Sequence, residues 1–161
     1  MYSCRPADRG SLERIWNKNI ETHPEEPSWV KWKEEFLRYN ESGMGKSIIL
    51  FCKDEPVGEI TLLISPECIP INGRLYLADG KKAVNLNALR IDKPHRGKGL
   101  ATKLIHAAED YARENGFETV NIGVEAKESR NVAIYIHLGY TELIYHEIYE
   151  GDLILYYSKN L

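Results

Sequence analysis

The sequence predicts an α/β fold in which about four helices pack on a mixed sheet of about seven strands. The chain has 161 residues, of which 43% are hydrophobic, and this is the size of one compact domain spanning residues 1–161. The run Val84–Ile91 alternates apolar and polar side chains, as a half-buried strand does. Apolar residues then recur at helical spacing from Gly99 to Asn115. A strand followed directly by an amphipathic helix indicates a sheet covered by helices.

The first part of the chain predicts one short strand and two helices. Tyr2–Arg5 is expected to form an edge strand, which Pro6 stops. A helix capped by Asp8 runs to about Glu21, and a second one capped by Ser28 runs to about Asn40. These helices contain all three tryptophans, which we expect in the core or in the wall of a pocket. They are Trp16, Trp29 and Trp32.

A hairpin and an irregular segment are predicted next. Ser47–Lys53 and Val57–Ser65 are rich in β-branched and aliphatic residues and are joined by a tight turn that contains a proline. The segment Cys68–Lys82 has no clear periodicity, although Arg74–Leu77 could form a short strand.

The second half completes the predicted sheet. After the helix Gly99–Asn115, the pattern indicates a strand over Thr119–Val124 and a short helix over Ser129–Leu138. Tyr140–Tyr149 and Leu153–Ser158 are rich in Ile, Leu and Tyr and flank a Glu-Gly-Asp turn, so they predict a closing hairpin.

Composition narrows the classes of function. The formal net charge of -3 argues against nucleic acid as the main partner, since binding to phosphate backbones normally needs a basic face. The three cysteines lack the spacing of a disulfide framework or a zinc knuckle, and His146 begins a zinc-protease-like motif that has Glu150 where the second histidine is needed. No 18-residue apolar stretch occurs. We therefore expect a cytoplasmic protein without a metal site or a membrane segment.

The segment between the Val84–Ile91 strand and the following helix has the composition of an anion site. It contains Gly97 and Gly99 together with the cations Arg96, Lys98 and Lys103. The first turn of a helix presents free N–H groups and a partial positive charge, and glycine allows a ligand to approach the backbone closely. We therefore expect this turn to bind phosphate.

Two common phosphate motifs do not fit. A dinucleotide fingerprint starting at Gly97 fails because Thr102 occupies the third glycine position. The triplet Gly45-Lys46-Ser47 imitates the end of a P-loop, but Asn40 occupies the position of the first glycine, and the segment leads from a helix into a strand.

Two motifs resemble those of the GNAT N-acetyltransferases. Arg96-Gly97-Lys98-Gly99-Leu100-Ala101 has the form R-x-x-G-x-A of the family's acetyl-coenzyme A signature. Tyr135-x-x-Leu138-Gly139-Tyr140 is similar to the family's second motif, in which an Asn precedes the Tyr. With the order of elements, the resemblance covers about Val84–Leu161, and it extends to the first half of the chain only by pattern.

The resemblance implies a GNAT-like fold and a cofactor site. The sheet is then mostly antiparallel and splays open between the strand that precedes the glycine turn and the following strand, and acetyl-CoA lies in the opening. Backbone groups of Leu89, Arg90 and Ile91 would meet the pantetheine arm, and amides of residues 96–101 would hold the pyrophosphate. Besides Leu89, Arg90 and Ile91, the residues predicted to bind the cofactor are Arg96, Gly97, Lys98, Gly99, Leu100, Ala101, Thr102 and Asn131.

The activity implied is transfer of an acetyl group from acetyl-CoA to a primary amine by direct attack on the thioester. Tyr135 is the predicted general acid, because a phenol can donate a proton to the departing thiolate. Glu59 is the predicted acceptor of the amine proton, either directly or through water, and water alone is the alternative. The acceptor is a small-molecule or peptide amine, and assembly as a homodimer is left open.

The acceptor and the activity itself have alternatives. Five acidic residues in the variable segments hint at a cationic amine, namely Glu25, Glu26, Glu147, Glu150 and Asp152. A non-catalytic acyl-CoA-binding or sensing module on the same fold is the runner-up, since a cofactor site does not guarantee chemistry. An interaction protein whose glycine turn merely starts a helix is the third interpretation.

Overall fold

The computed structural model describes residues 1–161 as a seven-stranded sheet with four α-helices. The strands are β1 (Tyr2–Pro6), β2 (Gly45–Cys52), β3 (Glu55–Leu63), β4 (Ala83–Ile91), β5 (Thr119–Glu125), β6 (Glu142–Tyr149) and β7 (Asp152–Asn160). The helices are α1 (Arg9–Thr22), α2 (Trp29–Ser42), α3 (Leu100–Glu114) and α4 (Ser129–His137). A single 3-10 turn at Lys93–His95 lies between β4 and α3.

The sheet is antiparallel except at one pair of strands. Its order is β1-β2-β3-β4-β5-β7-β6, and only β4 and β5 run parallel. Their pairing extends from Ala83 opposite Thr119 to Leu86 opposite Ile122 and goes no further, although both strands continue. The sheet therefore opens beyond Leu86, as the resemblance implied.

The helices cover both faces of the sheet. On one face, α3 places Leu104, Ile105 and Ala108 against side chains of β2 to β5 such as Ile60 and Val120. On the other face, buried side chains of α1 and α2 pack on β2 and β3, among them Trp16, Phe36 and Ile49. No helix of the structure has the length and apolar character needed to cross a membrane.

Local chemistry explains where the elements begin and end. The Asp8 carboxylate accepts a hydrogen bond of 2.7 Å from the Ser11 N–H, which satisfies a free donor at the start of α1. Ser28 precedes α2 as predicted but makes no capping hydrogen bond with its side chain. Gly43 ends α2 at a φ of 78°, a left-handed conformation that glycine adopts without steric cost.

The predicted strand at Arg74–Leu77 was wrong. The segment forms turns in which the Arg74 N–H donates to the Ile71 carbonyl and the Leu77 N–H donates to the Arg74 carbonyl. Ile71 and Leu77 are buried beneath α1 and α2, so their apolar character reflects packing of a turn against the core.

Candidate active site

The glycine turn before α3 has the backbone conformation that requires glycine. Gly97 and Gly99 have φ values of 79° and 72°, in the left-handed region. A Cβ atom added at either position would meet nothing within 4 Å, so the conformation, and not crowding, demands glycine.

The N–H groups of residues 97–102 donate to no backbone acceptor in the protein, and the first bond of this region runs from the Lys103 N–H to the Gly99 carbonyl. They lie at the N-terminus of a 15-residue helix, where the peptide dipoles add partial positive charge. This arrangement can bind an anion through the backbone alone.

Side chains around the turn hold it in place. Arg96 Nε donates to the Ile91 carbonyl at 2.8 Å, so its guanidinium also satisfies the last carbonyl of β4. The Tyr2 hydroxyl lies 2.8 Å from His95 Nδ1 and accepts a hydrogen bond of 3.3 Å from Lys98 Nζ. The sequence identified Tyr2 only as part of an edge strand, because nothing in its spacing shows that β1 reaches the turn.

A cavity of about 870 Å³ lies where β4 and β5 part. Its floor includes Leu89 and Arg90 of β4 and Gly123 of β5, and Tyr135 of α4 lines it as well. Aromatic residues of the first two helices and β7 line much of the rest, as expected for the tryptophans: they are Trp16, Trp29, Trp32, Phe36 and Tyr156.

A bulge in β4 shapes the floor of the cavity. Glu59 lies opposite Arg90 and Thr61 lies opposite Asn87, so β4 has one residue more than β3 in this interval. Ala88 within the bulge has a φ of 54°, which is uncommon for a residue with a side chain. The bulge interrupts the regular alternation of β4 and so affects which of its side chains face α1.

The side chain of Arg90 stacks on two tryptophans and pairs with Glu59. Its Cζ lies 4.2 Å from the ring centroid of Trp16 and 4.9 Å from that of Trp29. Arg90 Nε donates to Glu59 Oε1 at 2.9 Å, and Nη2 donates to the same oxygen. Asn19 of α1 adds a third donor to that atom at 3.2 Å.

Glu59 is fully buried behind this arginine. Its side chain is 0% exposed and does not line the cavity, and its Oε2 has no hydrogen-bond partner. Burial raises the pKa of the Glu59 carboxyl, and the charge of Arg90 opposes that rise. The structure therefore brings Arg90 and Glu59 together but places only the arginine at the cavity.

Tyr135 faces the cavity from α4. Burial, followed by the negative charge of Glu128, raises its pKa above the ordinary value of 10.0. The phenol therefore stays protonated near neutral pH, as a hydrogen-bond or proton donor must.

The other residues predicted to contact the cofactor occupy different surroundings. Ile91 ends β4 and accepts the hydrogen bond from Arg96. The side chain of Leu100 is buried in the core, while Ala101 and Thr102 are half-buried at the start of α3. Asn131 is exposed on α4 and does not line the cavity. Leu89, Arg90 and Tyr135 are thus the predicted residues that share the cavity.

The acidic residues of the variable segments do not line the cavity. Glu147 binds Arg74 Nη1 at 2.9 Å and accepts a hydrogen bond of 2.8 Å from the Tyr156 hydroxyl. Asp152 pairs with Lys127 at 2.9 Å. Arg74 itself lines the cavity, and it was not predicted as a site residue because it lies in an irregular segment.

Comparison with known proteins identifies the family. The model of the Acetyltransferase (GNAT) family matches residues 10–140, which is most of the chain. No curated protein matches the sequence.

Solved structures share the fold at low sequence identity. A chimera of spermidine N-acetyltransferase SpeG from Vibrio cholerae and hSSAT is 19% identical, with a TM-score of 0.73 over 99% of this chain and 95% of that one. PaiA N-acetyltransferase from Thermoplasma acidophilum in complex with coenzyme A is 17% identical, with a TM-score of 0.67 over 100% and 99%. An acetyltransferase from Salmonella typhimurium that modifies the N-terminal serine of a 50S ribosomal subunit protein is 16% identical, with a TM-score of 0.70 over 99% and 95%.

Proposed function

The chain belongs to the acetyltransferase (GNAT) family, and from that premise we propose that it is an acetyl-CoA-dependent N-acetyltransferase. It moves the acetyl group to a primary amine by direct attack on the thioester carbonyl. The observation that best supports this proposal is the opening between β4 and β5, which has a cavity at its base and an anion-binding turn beyond the end of β4.

The opening provides a binding path for an elongated thioester. Beyond Leu86 the edge of β4 that faces β5 is not paired with it, so backbone groups of residues 89–91 other than the Ile91 carbonyl, which Arg96 binds, are available to amide groups of a pantetheine arm. The N–H groups of residues 97–102 then bind the pyrophosphate, and Arg96 and Lys98 add positive charge. In this orientation the thioester lies along β4, beside Tyr135.

The reaction needs a neutral amine, stabilisation of the carbonyl oxygen and a proton for the thiolate. The amine nitrogen forms a bond to the acetyl carbon, the C–S bond breaks, and the thiolate receives a proton from the Tyr135 hydroxyl, whose phenolate then recovers a proton from water. Tyr135 lines the cavity and its phenol is protonated near neutral pH, so the hydroxyl is available as a donor, although the rise in its pKa makes it a weaker acid than a free phenol.

The proton lost by the amine leaves by a different route. Arg90 separates the Glu59 carboxyl from the cavity, so direct transfer to Glu59 would require the arginine to move. We propose that water in the cavity accepts this proton and that Glu59 holds Arg90 in position. That Glu59 itself accepts the amine proton stays a prediction, and the variant Glu59→Gln tests it.

Binding of the cofactor is tested by thermal unfolding with acetyl-CoA. Ligand at about 100 times its Kd adds roughly 2.7 kcal/mol to the free energy of unfolding. An unchanged melting temperature at millimolar acetyl-CoA would contradict the proposed cofactor site. Release of free CoA in the presence of amines then distinguishes an enzyme from a module that only binds acyl-CoA.

A further inference from the structure

The charged residues that line the cavity are both arginines, Arg74 and Arg90. Their partners Glu147 and Glu59 do not line it. Each ion pair is therefore oriented with its positive end at the wall of the cavity. Such an orientation produces a positive potential inside the cavity even though the pairs are neutral overall.

Arg90 keeps hydrogen-bonding capacity for a ligand. A guanidinium has five N–H donors, and Arg90 uses Nε and one Nη2 donor on a single oxygen of Glu59. Its side chain remains 23% exposed while stacked on Trp16 and Trp29, which hold the planar group in one orientation. A fixed guanidinium with free donors is the group best suited to bind a carboxylate in a bidentate manner.

Arg74 is bound to backbone carbonyls, whereas Arg90 is not. Its Nε and Nη2 donate to the carbonyls of Ile71 and Pro70 at 2.9 and 2.8 Å, and its Nη1 donates to Glu147. These bonds tie the turn at residues 70–74 to β6. Arg90 makes no such bond to the backbone, so it is the better candidate for contact with the acceptor.

The wall beside Arg90 is apolar and aromatic. Trp29, Trp32 and Phe36 of α2 line it together with Ile69, which is 47% exposed. Aromatic and aliphatic side chains of this kind gain free energy when an apolar group covers them. On the proposed function, the cavity of about 870 Å³ also holds the thioester end of the cofactor, which favours an acceptor of small-molecule size.

Together with the proposed N-acetyltransferase function, on which this inference rests, these features lead us to propose that the acceptor is a small amino carboxylic acid with a large apolar or aromatic side chain. Its carboxylate binds the guanidinium of Arg90, and its side chain lies against Trp29, Trp32 and Phe36. This replaces the cationic acceptor that the acidic segments suggested, because those acids lie outside the cavity.

The position of Arg90 also orients the amine. Arg90 follows Leu89 on the stretch of β4 that we propose meets the pantetheine arm. In an α-amino acid one carbon separates the carboxylate from the nitrogen, so a carboxylate on Arg90 keeps the amine close to the thioester carbonyl. Fixing the two reactants in this way lowers the entropic part of the barrier.

The first test compares acceptors on the unmodified protein. Release of CoA from acetyl-CoA is measured with phenylalanine, phenylalanine amide, phenethylamine and spermidine. Hydrogen bonds to a charged group contribute about 1.5–3 kcal/mol, so we expect kcat/KM for phenylalanine to exceed that for the amide and for phenethylamine by roughly 10- to 100-fold. Spermidine should be the poorest acceptor because its ammonium groups face two arginines.

The second test uses variants of arginine. Arg90→Gln should raise KM for phenylalanine by roughly 10- to 100-fold and remove the preference over the amide. The matched control is Arg38→Gln, because Arg38 also pairs with a carboxylate, at 2.8 Å from Glu35, and stacks on an aromatic ring, but lies outside the cavity. The melting shift with acetyl-CoA reports whether each variant is folded, and Arg90→Lys provides a variant that keeps the charge.

The outcomes separate this inference from the proposed function. Transfer to phenethylamine or spermidine that equals or exceeds transfer to phenylalanine overturns the inference and leaves the N-acetyltransferase function intact. The same holds if folded Arg90→Gln keeps the preference for the carboxylate. If the protein binds acetyl-CoA but none of the amines causes release of CoA, the proposed function is overturned, and the inference with it.

Discussion

Tyr135 provides the most specific prediction at the scale of single residues. Tyr135→Phe removes only the hydroxyl, so the packing of the ring at the cavity is kept. We expect kcat to fall by about 10²-fold or more because the thiolate loses its proton donor, while the Kd of acetyl-CoA stays the same. Steady-state kinetics and calorimetry measure the two quantities, and undiminished kcat would remove Tyr135 from the role of general acid.

The raised pKa of Glu59 predicts how the free energy of unfolding depends on pH. Its pKa in the folded protein is raised above the reference value of 4.5. At a pH between 4.5 and the pKa of the folded protein, the folded state therefore holds a proton that the unfolded state has lost. The stabilisation is complete below 4.5 and is lost as the pH rises through the folded pKa. The free energy of unfolding should therefore fall in this interval by up to about 1.4 kcal/mol per pH unit through this group.

Glu59→Gln isolates that contribution. Urea unfolding of the unmodified protein and of Glu59→Gln is measured as a function of pH. The difference between their free energies of unfolding should vary between pH 4.5 and the folded pKa of Glu59, since glutamine does not titrate. A constant difference would contradict the raised pKa. The same variant tests the base: a fall in kcat of about 10²-fold or more would favour Glu59 over water as the proton acceptor.

The residues of the site differ in how far the sequence could reveal them. The glycines of the turn and Tyr135 were found because motifs have fixed local spacing. The pairing of Glu59 with Arg90 depends on the register of β3 and β4 and on the bulge at Ala88, which local patterns do not specify. Tyr2 and Arg74 were missed for the same reason, since their contacts join segments far apart in the chain.

At the scale of elements, the two ends of α3 offer a matched pair of glycines. Gly99 precedes the helix with a φ of 72°, and Gly116 follows it with a φ of 83°. An added Cβ would meet no atom within 4 Å at either position. Alanine should therefore cost a similar 1–2 kcal/mol or so of stability at both positions, through backbone strain alone.

Only one of these substitutions should affect the cofactor. Gly99→Ala places a methyl group beside the N–H groups of residues 97–102 and should weaken acetyl-CoA binding by roughly tenfold or more, whereas Gly116→Ala should leave the Kd unchanged. Denaturant unfolding and calorimetry measure the two effects. Equal affinity in the two variants would show that the turn does not hold the cofactor.

Periodicity predicted most elements because each buries one regular face. The helix before Gly116 and the strand before the glycine turn were found within one residue of their observed ends. The turn at Arg74–Leu77 was predicted as a strand because alternating apolar residues look the same in both structures. Leu77 in this turn, and Ile71 just before it, are buried against α1 and α2, which are distant in the sequence.

At the scale of the whole molecule, the site depends on how the sheet is assembled. The first two helices contribute the aromatic wall and α4 contributes Tyr135 to the cavity where β4 and β5 part, while the glycine turn follows the end of β4 outside the cavity. The family resemblance predicted the opening of the sheet. The tryptophans were predicted in the core or a pocket wall, but the stacking of Arg90 on two of them and the position of Arg74 at the cavity became visible only with the tertiary structure.

Transfer of the acetyl group is the measurement that tests the central claim most directly. The protein is incubated with acetyl-CoA and a panel of amines, and mass spectrometry follows the amines while a thiol assay follows free CoA. We predict an N-acetylated amine and free CoA in equal amounts, with both formed about 10²-fold or more slowly by Tyr135→Phe. Tight binding of acetyl-CoA without acetylation of any amine would contradict the claim and indicate a module that only binds the cofactor.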